Sequence, residues 1–377
     1  MDHVTPTGID RVEGAYIRRL LGGEEPVWCL ARIGPWQMLM DRAGTKAVLG
    51  GEGRPGLRGL LSRQPLEVKR AQGATRMRAL GRVEPAGLAA LLARHLPRGV
   101  TAYNVGHSNL SEPVMAGLGR AGLRRVVMIH DAIPLDHPEY ARRGTSERFA
   151  GKLRAAAHAE RILVNSAHTA ARVRHWLGSW RLRVPETVLA PLGIGLPRRE
   201  APPPAHPYFV MLGTVEPRKG HDMLLALWRA LPAGAPHLHV VGRAGWASPG
   251  LLKELASGSC AGRTIFWHQD MGDEALARLL SRARALLLPS RAEGYGLPLA
   301  EALAAGVPAI ASDLPAPREV GGEVPLYLPP DDREAWRRAI LAFAGEAPER
   351  QRQLSLLQSW RPFGWEDHFG IALAETP

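Results

Sequence analysis

One stretch constrains the fold of this chain more than any other: a short apolar run, a loop with two glycines and a helix-forming segment. The run Ala285–Leu288 ends at Pro289, and its length and bounding proline favour a parallel strand buried on both faces. Pro298 suits the first turn of a following helix, because the N–H that proline lacks has no partner there. The stretch is therefore predicted to form a buried parallel strand, a loop and a helix.

The loop in this stretch predicts an anion-binding site. The backbone N–H groups of residues 294–297 would converge at the positive end of the helix, which suits a phosphate. Gly294 and Gly296 would let the backbone approach a ligand closely. Glu293 in the loop and Glu301, predicted in the first helical turn, border the same site. A first-turn carboxylate also complements the helix dipole, so Glu301 alone does not require a ligand.

The run E-G-Y-G-L-P-x-x-E at residues 293–301, followed by A-x-A-x-G-x-P-x-I-x-S-D-x-P, resembles the retaining glycosyltransferases of family 4. The resemblance implies the α/β fold called GT-B, in which two Rossmann-like domains face each other across a cleft and the C-terminal helix crosses back to the first domain. It implies a nucleotide-diphosphate sugar as donor. The donor-binding residues that it implies in this stretch are Gly294, Tyr295, Gly296, Leu297 and Glu301.

Length and composition agree with two globular domains. A chain of 377 residues is too long for one ordinary core, and its 45% hydrophobic and 22% charged residues describe a soluble protein. We expect an acceptor-binding domain at residues 1–198, a nucleotide-sugar-binding domain at 199–355 and a returning C-terminal helix at 356–377. The proline-rich segment at 197–207 reads as a stiff linker between the two domains.

The formal net charge of +12 indicates either a negatively charged binding partner or a compositional bias of the genome. The sequence has no nucleic-acid-binding motif and its arginines are scattered, so no nucleic-acid partner is expected. Peripheral contact with an anionic membrane would fit, because such transferases must reach lipid-linked acceptors. A GC-rich genome would equally explain a chain rich in Arg, Ala, Gly and Pro. Both explanations stay open.

The sequence predicts a cytoplasmic protein, with the inner face of the plasma membrane as the place of any peripheral contact. No run of about 18 apolar residues occurs, and the polar N-terminus leaves no room for a signal peptide. Cys29 and Cys260 lie far apart and read as structural thiols in a reducing compartment.

The first 22 residues begin with T-P-T-G and continue as a helical pattern. The resemblance implies that Gly8 faces the donor diphosphate. Only residues 1–4 remain for the first strand of the family, so either another segment supplies that strand or the native start lies upstream. Residues 45–80 are rich in Gly and Arg and are expected to form a mobile loop.

His130 follows a predicted strand at 125–129, and ligands of α/β proteins bind beyond such strand ends. The run H-D-x-I-P-L-x-H-P-E that begins there resembles a mannosyltransferase-like subgroup of the same family and implies that His130 faces the transferred sugar. A turn histidine beside a capping Asp131 is the alternative. The G-x-G-x-x-G at residues 117–122 precedes this strand, so we interpret it as a helix end and not as a dinucleotide site.

The run G-T-x-E-P-R-K-G at residues 213–220 follows another buried strand and precedes a helix. Arg218 and Lys219 would oppose the dipole of that helix unless an anion were present. The run matches the diphosphate-binding loop of the family, which makes both residues a phosphate clamp. Further along the second domain, the resemblance implies donor contacts at Gly242, Asp270 and Met271, although Asp273 is expected only to cap a helix.

The catalytic residues expected from these matches are Glu293, His130, Lys219 and Arg218. No D-x-D and no His/Cys cluster with metal spacing occurs, so the enzyme is expected to need neither a metal nor a cofactor. Mannose is favoured, with GDP-mannose, a UDP-hexose or a dTDP-deoxysugar as donor and a glycan or lipid-linked acceptor. A nucleotide-sugar 2-epimerase and a non-catalytic GT-B scaffold are the alternatives.

Overall fold

The computed structural model describes residues 8–49, 65–195, 204–232, 234–257 and 264–374. The predicted first strand, the stretch from 50 to 64, Cys260 and most of the predicted linker lie outside these ranges. The described residues form one antiparallel and two parallel sheets.

The first half of the chain carries a small antiparallel sheet and a parallel sheet. Its strands are β1 (Cys29–Ile33), β2 (Trp36–Met40), β3 (Gly81–Val83), β4 (Thr101–Asn104), β5 (Arg124–Ile129), β6 (Arg161–Val164) and β7 (Glu186–Leu189). Strands β1 to β3 are antiparallel, and β4 to β7 lie side by side in parallel. Its helices are α1 (Gly8–Gly22), α2 (Arg42–Leu49), α3 (Pro65–Arg78), α4 (Leu88–His95), α5 (Glu112–Arg120), α6 (Ile133–Asp136), α7 (Thr145–Ala156) and α8 (Ala167–Ser179).

Strand β5 shows how the parallel sheet separates two apolar layers. Successive side chains of a strand point to opposite faces. Val127 and Ile129 pack in a cluster with α5, α7 and α8, whereas Val126 and Met128 pack in a cluster with α1. Both faces are therefore covered, as expected of a parallel sheet.

The second half carries a six-stranded parallel sheet. Its strands are β8 (Tyr208–Leu212), β9 (His237–Val241), β10 (Ile265–His268), β11 (Ala285–Leu288), β12 (Ala309–Ser312) and β13 (Leu326–Leu328). Its helices are α9 (His221–Ala230), α10 (Pro249–Ser257), α11 (Asp273–Ser281), α12 (Leu297–Ala304), α13 (Pro315–Gly321) and α14 (Arg333–Ala344). Short 3-10 helices lie at Pro85–Gly87, Pro138–Tyr140 and Pro217–Lys219. No helix in the described parts of either half is long and apolar enough to cross a membrane.

The order of the six strands places a crevice at one edge of this sheet. The order is β10-β9-β8-β11-β12-β13, so the chain continues from β8 to one side and later returns to its other side at β11. The chain therefore leaves β8 toward α9 on one face of the sheet and leaves β11 toward α12 on the other face, and ligands bind in the crevice at such switch points. The stretch predicted to form a strand, loop and helix does so as β11 and α12.

The C-terminal segment crosses back to the first domain, as predicted. Helix α15 (Pro348–Leu357) still packs on the second sheet, but α16 (Trp365–Ala372) joins the apolar cluster of α1. Within that cluster Tyr16 contacts Phe369, and the Tyr16 hydroxyl lies 2.9 Å from His368 Nε2. The predicted fold class, GT-B with a returning helix, is confirmed.

The prediction of a loop at residues 45–80 is wrong for the part of this segment that the structure describes. That part forms most of α2 and all of α3. Pro65 opens α3, and most of the residues after it are good helix formers. The glycine at 73 costs only about 1 kcal/mol relative to alanine. The interpretation of residues 117–122 as a helix end is confirmed, since Gly122 follows α5 with φ 75°.

Gly193→Ala should loosen the C-terminal segment. A Cβ at this position would lie 2.5 Å from both the backbone N and Cγ of Trp365, so α16 would have to shift. Overpacking of this kind should lower the free energy of unfolding by about 1–3 kcal/mol. Urea denaturation would measure the change. Gly195→Ala is the matched control, because its nearest neighbour would be Trp365 Nε1 at 3.9 Å. Equal stability of the two variants would contradict this account.

Candidate active site

A buried ion cluster lies where the loops after β8 and β11 meet. Glu293 Oε1 accepts hydrogen bonds of 2.6 Å from both Lys219 Nζ and Ser290 Oγ. Glu293 Oε2 lies 3.3 Å from Arg218 Nη1, and Arg218 Nη2 lies 2.7 Å from Glu216 Oε1. Both oxygens of Glu293 are therefore engaged.

Burial and the neighbouring charges set the protonation of this cluster. Burial alone would raise the pKa of Glu293, but Lys219 and Arg218 outweigh it and hold the pKa at about 2. Burial raises the pKa of Glu216, and the same two cations offset only part of that rise. Burial would lower the pKa of Arg218, whereas Glu293 and Glu216 raise it. Glu293 is therefore ionised at neutral pH, and Arg218 carries its positive charge.

One glycine lets these two loops meet. Gly220 has φ 78°, a left-handed conformation that glycine adopts without strain. A Cβ there would lie 2.2 Å from the carbonyl oxygen of Pro289. The close approach brings the 3-10 turn Pro217–Lys219 against the loop after β11, which is how Lys219 reaches Glu293.

Arg218 and Lys219 already have anionic partners, contrary to the prediction that they would need a bound anion. Both cations stand before α9, as predicted, but Glu216 and Glu293 already supply negative charge. These carboxylates stabilise the cations without a ligand. A bound anion would therefore have to share Arg218 and Lys219 with the two carboxylates. The pairing with Glu293 was missed because it joins residues about 75 positions apart, whereas Glu216 lies in the same run as Arg218.

The loop before α12 also contacts the first domain. The Gly294 carbonyl oxygen accepts hydrogen bonds of 2.7 Å from Ser166 Oγ and 3.1 Å from Thr169 Oγ1. A Cβ on Gly294 would lie 2.4 Å from the carbonyl oxygen of His130, so only glycine permits this contact. Ser166 also caps α8 by accepting from Thr169 N at 3.0 Å. Capping is the only role that the sequence predicts for Ser166.

Tyr295 was predicted to bind the donor, and the structure places its side chain elsewhere. The hydroxyl donates to the Leu192 carbonyl oxygen at 3.2 Å, and the ring packs in the cluster that contains Val12. The ring therefore lies between the two domains because this apolar cluster buries it. In this arrangement the side chain is not free to contact a donor.

Glu301 meets a residue that the sequence did not single out. It lies in the second turn of α12, not the first, and it is buried. Arg11 Nη1 from α1 pairs with Glu301 Oε1, and Arg11 Nη2 lies 2.9 Å from Asp273 Oδ1. Burial raises the pKa of Glu301 to about 7, although Arg11 acts in the opposite direction. Gly8 lies in the same region, since a Cβ on it would be 3.1 Å from Leu297 Cδ1.

His130 lies at the end of β5, as predicted, with a second histidine beside it. His130 Nε2 donates to the Val105 carbonyl oxygen and His107 Nε2 to that of Met128, each at 2.6 Å. Burial lowers the pKa of both rings, that of His107 to about 3, so both are neutral at neutral pH. His107 lies in the loop after β4, and nothing in its spacing distinguished it. Contact of His130 with a sugar stays a prediction.

The three positions predicted further along the donor site lie on neighbouring loops. Gly242 N donates to the His268 carbonyl oxygen at 2.9 Å, and Asp270 Oδ1 lies 3.5 Å from Arg243 Nε. A Cβ on Gly242 would lie 2.0 Å from the Gly213 carbonyl oxygen, so packing alone requires this glycine. Met271 is partly buried against the apolar cluster between the six-stranded sheet and α12. Contacts of Gly242, Asp270 and Met271 with a donor stay predictions.

The structure thus gathers most of the predicted site at the carboxyl ends of the two parallel sheets. In the ranges that the structure covers, no three His, Cys, Asp or Glu side chains are arranged to hold a metal ion. The predicted residues brought together here are Gly8, His130, Arg218, Lys219, Glu293, Gly294, Gly296, Leu297 and Glu301.

Comparison with known sequences finds a family match in the second half of the chain. Residues 196–355 match the family described as "Glycosyl transferases group 1". The chain is 32% identical over 268 residues to the serotype-specific mannosyltransferase WbdA of Escherichia coli, which covers 64% of this chain and 32% of that protein. It is 32% identical over 167 residues to O-antigen chain mannosyltransferase B of the same species, covering 42% and 43% of the two chains. The chain thus spans less than half the length of these relatives.

Comparison with solved structures agrees with the fold. HepE of Anabaena, solved in complex with UDP and glucose, superposes with a TM-score of 0.59 at 16% identity. The superposition covers 77% of this chain and 80% of HepE. At this identity the likeness shows the fold alone.

Glu293→Gln should flatten the dependence of stability on pH in acid. The pKa of about 2 in the folded protein lies below the ordinary value of 4.5, so the carboxylate adds stability above about pH 5. That stability is lost as the pH falls toward 2. The wild type should therefore lose about 3 kcal/mol more unfolding free energy than the variant between neutral and strongly acid pH.

The matched control is Glu147→Gln, which removes an exposed carboxylate of α7. It should keep the acid slope of the wild type. Denaturant titrations at several pH values would measure all three proteins. A Glu293→Gln slope equal to that of the wild type would contradict the assigned ion cluster.

Proposed function

We propose that this chain, whose residues 196–355 match the glycosyl transferases group 1 family, is a retaining glycosyltransferase that requires no metal. It transfers a hexose from a nucleotide-diphosphate sugar to a glycan or a lipid-linked acceptor in polysaccharide synthesis. Mannose is favoured because the relatives named above are mannosyltransferases. The observation that carries the proposal is the buried Glu293–Lys219–Arg218 cluster beside the N-terminus of α12.

The diphosphate binds between this cluster and the helix end. Arg218 and Lys219 neutralise the charge that develops on the departing nucleotide diphosphate, and the N–H groups of residues 294–297 donate to its oxygens. When the diphosphate binds, Glu216 loses its ion pair with Arg218 more easily than Glu293 does. The reason is that burial already raises the pKa of Glu216 and so disfavours its charged form. Glu293 remains ionised beside the reaction centre.

Glu301 binds the ribose. The two oxygens of a carboxyl group suit the two hydroxyl groups of a ribose, whether the carboxyl accepts both hydrogen bonds as an ion or donates one of them when burial keeps it protonated. Glu301 is buried in α12, at the side of the anion site that faces α1 and α11. The loops with Gly242, Asp270 and Met271 complete the nucleotide site.

The engagement of Glu293 favours front-face transfer over a covalent intermediate. A carboxylate nucleophile must reach the anomeric carbon, with its partner carboxyl about 5 Å away. In this protein both Glu293 oxygens are already bonded to Lys219, Ser290 and Arg218. The acceptor hydroxyl therefore attacks from the side of the leaving phosphate, which takes up its proton. His130 faces the sugar from the first domain.

Contact with an anionic membrane is the proposed partner interaction, at the inner face of the plasma membrane. Met77 is 85% exposed at the end of α3, between exposed Arg76 and Arg78. Arg82 lies over the exposed ring of Trp36 at 5.4 Å. In the described ranges no ion pair joins these three arginines to a carboxylate. Cations beside exposed apolar side chains suit an anionic lipid surface.

Hydrolysis of the donor tests the reaction without knowledge of the acceptor. The purified protein would be incubated with GDP-mannose, a UDP-hexose or a dTDP-deoxysugar in excess EDTA. One donor should release its nucleoside diphosphate slowly, and NMR should show the released sugar first in the anomeric configuration of the donor. Initial release of the inverted anomer, or activity that returns only with added metal, would contradict the proposed mechanism.

Lys219→Ala should lower kcat/KM for that donor by about tenfold or more, the size of one modest transition-state contact. The physical reason is that Lys219 neutralises the leaving group. Lys253→Ala, an exposed lysine on α10, is the matched control and should keep wild-type turnover. Circular dichroism would check that both variants fold. Unchanged kcat/KM in folded Lys219→Ala would contradict the role of Lys219 in the phosphate clamp.

A further inference from the structure

Arg11 bridges the cleft through two carboxylates. It lies in the first turn of α1, in the first domain, and pairs with Glu301 and Asp273 of the second domain. Asp273 was predicted to cap α11, but the N-cap is Gly272 without a side-chain bond. Asp273 is therefore free to bind Arg11. The Arg11 side chain is 24% exposed, so it borders the open cleft.

The pair between Arg11 and Glu301 competes with the proposed ribose site. A carboxylate accepts both hydroxyls of a ribose only when its oxygens are available. Arg11 Nη1 occupies Glu301 Oε1 in this structure. A ribose on Glu301 therefore requires Arg11 to move, a consequence that rests on the proposed function.

Arg11 also lies beside the predicted phosphate site. Side chains on a helix point toward its N-terminus, so the Glu301 carboxylate lies over the preceding turn of α12. Arg11, which binds that carboxylate, lies there too. Gly8 at the start of α1 approaches Leu297 at the start of α12, so the two helix ends are neighbours. A guanidinium released from Glu301 would thus be within reach of a diphosphate bound at these ends.

We propose that Arg11 is a donor-binding residue that exchanges partners. While the site is empty it neutralises Glu301, and when the ribose takes Glu301 it turns to the donor diphosphate. The planar guanidinium binds phosphate oxygens through two parallel hydrogen bonds, which makes that exchange favourable. Asp273 holds the second nitrogen at 2.9 Å and keeps the side chain in the cleft during the exchange.

Comparing ligands with and without phosphate tests this role. Dissociation constants of GDP and guanosine, UDP and uridine, and dTDP and thymidine would be measured for wild type and Arg11→Ala, with ligand-observed NMR for the weak nucleosides. The diphosphate that binds wild type should bind Arg11→Ala about tenfold more weakly or worse. Its nucleoside should bind the variant as well as, or better than, wild type, because Glu301 is released.

Two further variants sharpen the comparison. Arg18→Ala removes an exposed positive charge from the same helix and should leave every affinity unchanged. Arg11→Lys keeps the charge without the planar fork and should give an intermediate affinity for the diphosphate. It also keeps the test valid if Arg11→Ala folds poorly.

The outcomes separate this inference from the proposed function. If the Arg11 variants weaken nucleoside and diphosphate by the same factor, Arg11 only holds the domains together and the exchange is wrong. Unchanged affinities would also overturn it. A wild-type protein that binds none of the three diphosphates would instead contradict the proposed function.

Discussion

The ionised carboxylate of Glu293 inside the cleft is the constraint on which the rest of the site depends. A buried charge without a partner costs several kcal/mol, so Lys219 and Arg218 must reach it. They reach it only because the loops after β8 and β11 touch, which Gly220 permits. The same contact sets where α12 begins, and so where its free N–H groups point.

The position of this loop in turn connects the two domains. Gly294, the residue after Glu293, is held by Ser166 and Thr169 of the first domain. Nearby, the carboxylate of Glu319 accepts hydrogen bonds of 2.6 and 2.8 Å from the first two N–H groups of α8. A carboxylate at a helix N-terminus adds only about 0.3–1 kcal/mol in most settings. The contacts are thus small individually, and together they tie the loop that carries Glu293 to the first domain.

Local patterns predicted the fold and many of the site residues, whereas long-range pairing was missed. The strand, loop and helix around Glu293 followed from a buried apolar run, glycines and Pro298, which act within a few residues. The ion pairs of Arg218 with Glu293 and of Arg11 with Glu301 could not follow from such patterns, because these partners lie 75 and 290 positions apart. Tyr295 was assigned by its motif, but its packing is set by the first domain. Residues 65–78 form a helix and not the predicted loop, because the helix propensity of most of these residues outweighs the glycine and arginine content of the wider segment.

Calorimetric titration with GDP, UDP and dTDP in EDTA tests the central claim, that this cleft is a nucleotide-diphosphate site with Glu301 at the ribose. One nucleotide should bind wild type with a Kd in the micromolar range, and Glu301→Ala should bind it about tenfold more weakly, the loss expected for a pair of hydroxyl contacts to a charged group. Absence of binding by all three, or the same Kd for wild type and Glu301→Ala, would contradict the account.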